Sequence, residues 1–273
     1  MQFVAKKSLG QNFLNNASVP RKMADAADVG KGDIVLEIGP GTGALTRELL
    51  ARAQKVIAIE ADARAITILN ETFAKEVEEG KLVLVAGDAR VLDLAALGLR
   101  PRAYKVVANI PYYLSGFLFR SFLEHEVQPS TLVFLVQKEV AERIARDEKE
   151  SLLSLSVKVY GEPRYIETVK KGNFTPQPKV DSAIIAITDI SKKRLNGVPE
   201  SAFFELLHTG FKSRRKQLLG NLTDPYPRDT LVHLFSTLGL PPTVRAEDIS
   251  FEIWVKLATA LSVHKKATKH QRS

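Results

Sequence analysis

The chain has 273 residues, 45% of them hydrophobic, enough to bury one large core and a smaller second one. It contains no cysteine, which excludes a disulfide framework, a thiolate metal site and a cysteine nucleophile. The formal net charge is +8, and no run approaches the ~20 apolar residues of a membrane-spanning helix.

The amino terminus lacks the apolar core of a secretory signal, so the expected location is the cytoplasm. Apolar runs at 34–38, 55–59, 82–86, 105–108 and 131–136 then alternate with helical patterns such as 44–53, 61–75 and 114–125. This alternation predicts a doubly wound α/β domain, and successive runs deliver a polar residue where a parallel sheet opens its ligand crevice. The first run enters Glu37-Ile38-Gly39-Pro40-Gly41-Thr42-Gly43, a turn that lets backbone approach a ligand closely. Gly39 and Gly41 with Ala44 also fit G-x-G-x-x-[GA], so a nicotinamide dinucleotide site stays open at this point. The second run ends in Glu60, about twenty residues after the first glycine, where a carboxylate can accept hydrogen bonds from both ribose hydroxyls. The third ends in Gly87-Asp88, whose carboxylate can accept from an adenine amine.

The fourth run ends in Asn109-Ile110-Pro111-Tyr112. The exocyclic amine of adenine is a poor nucleophile because its lone pair is delocalised into the ring, and two acceptors aimed at its two N–H bonds would draw that pair back onto nitrogen. The Asn109 side-chain oxygen is one acceptor; the Ile110 carbonyl, held extended ahead of Pro111, is a natural second. Tyr112 adds a flat face for a base. The same four residues can equally end a strand and turn the chain.

Further on, Phe174-Thr175-Pro176-Gln177-Pro178 forms a stiff loop suited to holding a ring over a pocket mouth, or a rigid connection into a strand at 183–187. That strand is expected to close the sheet beside an antiparallel neighbour at 165–169. Residues 191–199 read as a linker, and 200–210, 214–222, 229–238 and 251–262 have helical spacing without strand alternation. The expected domains are therefore 1–190, the linker 191–199, and a small helical domain over 200–273 whose tail from 264 is expected to be mobile. From Lys192 to Ser273 there are 14 Lys and Arg against 7 Asp and Glu, a net of +7 that leaves +1 for residues 1–191. That is the footprint of a polyanion-binding surface. The five histidines, at 125, 208, 233, 264 and 270, lack metal-ligand spacing, and no metal is expected.

Taken together these motifs resemble the small-subunit ribosomal RNA adenine N6,N6-dimethyltransferases of the KsgA type, over most of the chain. Lys6-Lys7-Ser8-Leu9-Gly10-Gln11-Asn12-Phe13-Leu14 resembles the family's amino-terminal motif, which implies that Asn12 and Leu14 touch S-adenosylmethionine. The glycine turn with Gly39 and Gly41, then Glu60, Asp88 and Asn109-Ile110-Pro111-Tyr112, match the remaining cofactor and catalytic motifs in order. Residues 137–144 are similar to the helix after the fifth strand. Phe174-Thr175-Pro176-Gln177-Pro178-Lys179-Val180-Asp181-Ser182 resembles the late active-site loop, whose Phe packs on the target base. Phe211-Lys212-Ser213-Arg214-Arg215-Lys216-Gln217-Leu218-Leu219 resembles the start of a basic helix, in which Lys212, Arg214, Arg215 and Lys216 can bind RNA phosphates.

The resemblance implies a Rossmann-like α/β methyltransferase sheet with a small all-helical carboxyl-terminal domain. It implies S-adenosylmethionine as cofactor and dimethylation of N6 on two adjacent adenines near the 3′ end of small-subunit (16S) ribosomal RNA, within a pre-30S particle. A monomer without membrane partner is expected. The chain departs from many relatives at Ser151-Leu152-Leu153-Ser154-Leu155-Ser156-Val157, where they carry a Tyr-Gly pair before Leu-Ser-Val; this segment is expected to pack near the methyltransferase core. The rival readings are a large-subunit ribosomal RNA adenine methyltransferase of the antibiotic-resistance type, a DNA adenine methyltransferase, a noncatalytic ribosome-assembly factor and a nicotinamide dehydrogenase. Pro178-Lys179-Val180-Asp181-Ser182 and the basic helical domain favour the small-subunit reading over the first.

Overall fold

A computed structural model describes residues 10–213 and 215–270, with side chains through 262. Its contacts divide the chain into two units: one comprises the chain through Ala145 together with Glu162–Ile190, the other Arg146–Gly161 together with the chain from Ser191 onward.

In the first unit the elements run β1 (Phe13–Leu14), α1 (Ser18–Ala26), β2 (Ile34–Ile38), α2 (Ala44–Leu50), β3 (Lys55–Glu60), α3 (Ala63–Thr72), α4 (Ala74–Glu78), β4 (Leu82–Ala86), β5 (Lys105–Asn109), α5 (Ser115–Leu123), β6 (Thr131–Gln137), α6 (Lys138–Ala145), β7 (Glu162–Val169), β8 (Phe174–Thr175) and β9 (Ser182–Thr188). Seven strands form one sheet in the order β4-β3-β2-β5-β6-β9-β7. β2 to β6 are mutually parallel, and β9 runs antiparallel between β6 and β7. The parallel centre is covered on both faces, so β5 and β6 read as continuous apolar runs, with Val106 to Ala108 and Leu132 to Val136 buried. β7 is the edge, which explains both its alternating burial and its tolerance of Pro163, whose missing N–H would break a central ladder. One face of the sheet packs Met23, Leu49, Leu69, Val107, Val133 and Ile184 into a continuous core. Phe134 meets Phe119 and Phe122 edge to face, at centroid distances of 5.1 and 6.3 Å.

The second unit holds α7 (Leu152–Lys158), α8 (Glu200–Gly210), α9 (Leu218–Leu222), α10 (Arg228–Thr237) and α11 (Phe251–His270). Here the structure departs from the sequence expectations. The segment 146–161 groups with these helices rather than with the sheet. Its α7 opens with a capping box between Ser151 and Ser154, and Glu150 bonds the Ser154 hydroxyl (2.7 Å) and the Lys158 ammonium (2.5 Å). Glu150 N also donates to Glu247 O at 2.7 Å, tying the segment to the turn before α11. The expected linker 191–199 is packed, because Leu195 and Val198 bury their side chains between its basic residues. The described residues of the basic stretch after Phe211 are not helical, and α9 begins only at Leu218. The buried Asn221 amide donates to Gly210 O (2.6 Å) and Ser213 O (3.1 Å), meeting these carbonyls in a non-helical path. α11 continues to His270, through most of the stretch expected to be a mobile tail; 271–273 lie outside the described residues. No helix among the described residues is long and apolar enough to cross a membrane.

Candidate active site

The strand order reverses at β2, which has β3 on one side and β5 on the other. In an open α/β sheet the crevice beyond the carboxyl ends of such strands is where ligands bind, because the following loops diverge to opposite faces. A cleft of about 1080 Å³, open mouth included, lies there. Asn12, Leu14, Gly39, Gly41, Glu60, Asp88, Asn109, Ile110, Pro111 and Tyr112, all anticipated from the sequence, line it.

The turn after β2 needs its glycines. Gly39, Gly41 and Gly43 adopt φ of +65°, +56° and +85°, which side-chain-bearing L-residues avoid. A Cβ at Gly39 would meet nothing within 4 Å, so the backbone there is left bare beside the cleft. At Gly41 a Cβ would stand 2.8 Å from the Phe13 ring, so the amino-terminal segment closes on the turn. Glu60 braces it from the next strand: Oε2 accepts from Gly41 N (3.1 Å) and Oε1 from Asp62 N (2.8 Å). Each oxygen keeps a second lone pair for a hydroxyl of a bound nucleoside. Asp62, held well below the usual carboxylate range chiefly by Arg64, also accepts from Gln11 Nε2 at 3.3 Å.

Two features of the cleft lay outside the sequence reading. The first is Glu37, whose two carboxylate oxygens have no hydrogen-bond partner among the described residues. Burial raises its pKa to about 8; the nearby Thr46 hydroxyl offsets part of this, and the Glu60 charge adds to it. An acid inside the apolar strand run looks from sequence like part of the glycine motif, and its position just before Gly39 was the available signal. The second is Arg90, which engages both oxygens of Asp88 (Nε at 3.0 and 2.9 Å) and depresses that carboxyl. Asp88 thus meets the cleft already paired.

At the end of β5, Asn109 Nδ2 donates to the main-chain oxygen of Asn12 at 3.1 Å. That bond fixes the amide and leaves Oδ1 as the end available to a donor. The Ile110 carbonyl accepts no hydrogen bond among the described residues. Two acceptors on consecutive residues, Asn109 Oδ1 and the Ile110 carbonyl, are therefore left without a donor among the described residues. The Tyr112 hydroxyl shares a hydrogen bond of 2.7 Å with buried Ser182, fixing the ring, and burial pushes its pKa up.

Phe174 differs from expectation. It is 3% exposed, belongs to the hydrophobic core and does not line the cleft. The pairing of β1 with β8 sets Leu14 opposite Phe174 and Phe13 opposite Thr175, so the ring gains more from the core than from the mouth. In the second unit Lys212, Arg215 and Lys216 are exposed, with Lys212 at 3.2 Å from Asp224; Arg214 lies outside the described residues. Among the described residues no cluster of His, Cys, Asp and Glu could hold a metal.

The bare backbone at Gly39 and the spare lone pairs of Glu60 suit the ribose of a nucleoside, which fits S-adenosylmethionine. The profile of the ribosomal RNA adenine dimethylase family matches residues 2–262. The chain is 41% identical over 256 residues to ribosomal RNA small subunit methyltransferase A of Dehalococcoides mccartyi, covering 93% of this chain and 87% of that protein. It is 35% identical over 275 residues to the protein of the same name from Bacillus cereus, covering 96% and 93%. Among solved structures it resembles a dimethyladenosine transferase from Plasmodium falciparum, 27% identical with a TM-score of 0.75 over 93% of this chain and 98% of that one. The 23S rRNA methyltransferase ErmE is equally similar in fold, at 25% identity and a TM-score of 0.75 over 92% and 100%. Fold alone does not separate these two, but the family match and the extent of sequence identity agree with the motifs: the chain belongs to the ribosomal RNA adenine dimethylase family.

Proposed function

We propose that this protein uses S-adenosylmethionine to dimethylate N6 of two adjacent adenines in a loop near the 3′ end of small-subunit ribosomal RNA, during maturation of that subunit. The observation that carries the chemistry is the pair of acceptors at the end of β5: Asn109 Oδ1, oriented by the bond from Nδ2 to Asn12, beside the unbonded Ile110 carbonyl. The small-subunit methyltransferase relatives carry the substrate class.

The cofactor supplies a methyl group made electrophilic by its sulfonium charge. Asn109 and the Ile110 carbonyl each accept one N–H of the target amine, returning its lone pair to nitrogen. Tyr112, fixed through Ser182, supports the base. As the C–N bond forms and the methyl's bond to sulfur breaks, leaving a neutral thioether, N6 becomes acidic and its proton passes to water, so a strong general base is unnecessary. Positioning supplies most of the acceleration. Phe174 clamps the base only if the β8 segment opens from its position in the core.

The base must leave its stack to reach the cleft, which costs a few kcal/mol in a duplex and less in a loop, so an RNA loop is the natural substrate. The excess of positive charge beyond Lys192 supports a pre-30S particle as the form in which RNA is met, and the protein acts as a cytoplasmic monomer. The test is transfer of labelled methyl to unmethylated small-subunit particles, large-subunit RNA and DNA in parallel, followed by nucleoside analysis. Dimethyladenosine confined to small-subunit RNA is expected. Label on large-subunit RNA or DNA, or binding to particles without label, would overturn the reading.

A further inference from the structure

Among the described residues six large apolar side chains stand exposed, and three of them lie on two neighbouring elements: Val91 at 81%, Phe117 at 38% and Tyr113 at 62%, the last of which lines the cleft. They lie on the turn 89–91 and on α5 with the turn before it, which pack against each other. Tyr113 and Arg90 themselves line the cleft, and Arg90 senses the Tyr113 hydroxyl electrostatically. The inner side of α5 buries Leu118, Phe119, Phe122 and Leu123 in the core. On the outer side, Phe117 and Arg120 are exposed neighbours three apart on α5, and exposed Tyr113 stands in the single 3-10 turn, Tyr112–Leu114, that leads straight into that helix, so the three form a short stripe along the chain. Arg120 is exposed and forms no ion pair among the described residues. Tyr113 is also steadied from behind: a Cβ at Gly10 would stand 3.2 Å from its ring.

Burial cannot explain two exposed rings beside a free cation. Nor is this a generic apolar patch, since it continues the wall of the cleft that the target adenine must enter. Rings interleaved with guanidinium groups are what a single nucleic acid strand requires, because every base offers a face to stack and every nucleotide a phosphate to neutralise. The stripe from Tyr113 to Arg120 is about 10 Å long at helical rise, room for roughly two or three nucleotides stacked at about 3.4 Å. A ring already held in place loses little freedom on stacking.

We propose that Tyr113, Phe117 and Arg120 form a track for the single-stranded RNA next to the target adenine, the two rings stacking successive bases and Arg120 holding a phosphate. This rests on the RNA-methylating reading above. The track positions the strand so that the second adenine stays at the lip while the first is in the cleft.

The test is steady-state methyl transfer to unmethylated small-subunit particles, with cofactor affinity measured separately for each variant. Tyr113→Ala and Phe117→Ala should each lower kcat/KM for the particle by about tenfold, the scale of one lost base stack, while Tyr113→Phe stays within about twofold of wild type. Phe117→Ala should leave cofactor affinity unchanged, which separates the track from damage to the cleft. Arg120→Ala should make the dependence of log affinity on log salt shallower by about 0.7, the share of one single-strand phosphate. The track is overturned if Phe117→Ala keeps full kcat/KM, if Tyr113→Phe is as damaging as Tyr113→Ala, or if the salt slope of Arg120→Ala is unchanged. Failure of the wild-type protein to methylate small-subunit particles would instead defeat the functional reading and the track with it.

Discussion

Asn109 Nδ2 donates to the main-chain oxygen of Asn12 at 3.1 Å, joining the end of β5 to a segment 97 residues earlier. The amino-terminal segment therefore does more than cover the cofactor cleft: it sets which end of the Asn109 amide faces the substrate. Asn109→Ala should still bind S-adenosylmethionine but lose about 10² or more in turnover, the scale of removing one oriented polar group from a reacting centre. Near-normal label transfer by this variant would remove Asn109 from the mechanism.

Glu37 should make the ligand-free protein less stable as pH rises. Its ordinary pKa of 4.5 is raised to about 8 in the folded state. Between these values the folded protein keeps a proton that the unfolded chain has released, so stability falls by up to about 1.4 kcal/mol per pH unit through that window and no further above it. Glu37→Gln has nothing to ionise and should flatten this slope. Urea midpoints at pH 5.5 and pH 8 measure the difference; parallel losses in the two proteins would show that Glu37 does not titrate in this way.

Gly43 precedes α2 at φ +85°, and a Cβ there would approach the Phe73 ring to 2.5 Å and Leu69 to 3.0 Å. Left-handed strain and overpacking against buried side chains add, so Gly43→Ala should destabilise the first unit by about 2 to 5 kcal/mol. A thermal transition unchanged within a degree would mean that the turn can relax at no cost.

Removing the Tyr112 hydroxyl separates support from chemistry. Tyr112→Phe leaves the buried Ser182 hydroxyl without its 2.7 Å partner, which should cost about 1 to 3 kcal/mol of stability. The ring remains, so turnover should fall less than tenfold. Because burial raises the Tyr112 pKa, no inflection from it is expected in the wild-type pH profile below about 10. A variant as inactive as Asn109→Ala would give the hydroxyl itself a part in the reaction.

The basic loop of the second unit is tested by charge reversal. Lys212, Arg215 and Lys216 are exposed, and the Lys212 pair with Asp224 is too solvated to hold that cation back. The triple Glu variant should weaken particle binding with a salt slope shallower by about 2, while cofactor affinity is unchanged. An unaltered slope would place RNA contact elsewhere.

Features set by local pattern were legible from residues alone. Four of the five apolar runs of the parallel sheet are buried almost throughout, so their composition announces them whatever their neighbours are; the fifth, at the edge, buries only Leu82. Gly39, Gly41 and the Asn-Ile-Pro-Tyr segment are likewise local, since backbone freedom and the constraint ahead of proline act within a few residues. The ordered arrival of Glu60, Asp88 and Asn109 at strand ends then located the cleft.

What chain order left undetermined were matters of partnership. Helical spacing in the basic stretch suggested a helix from 214, but the Asn221 amide meets the Gly210 and Ser213 carbonyls and holds a loop until Leu218. The segment 146–161 lies between two elements of the sheet unit in sequence, yet Glu150 joins the turn before α11, nearly a hundred residues on, through its bond to Glu247. Phe174 reads as a clamp because aromatic rings flank pockets, and it is buried because β1 pairs with β8 across some 160 residues. The donor to which Asn109 is tied, and the isolation of Glu37, depend in the same way on what packs nearby. Periodicity and turn chemistry are short-range properties carried by the residues themselves, whereas burial and hydrogen-bond partners exist only once distant segments have met.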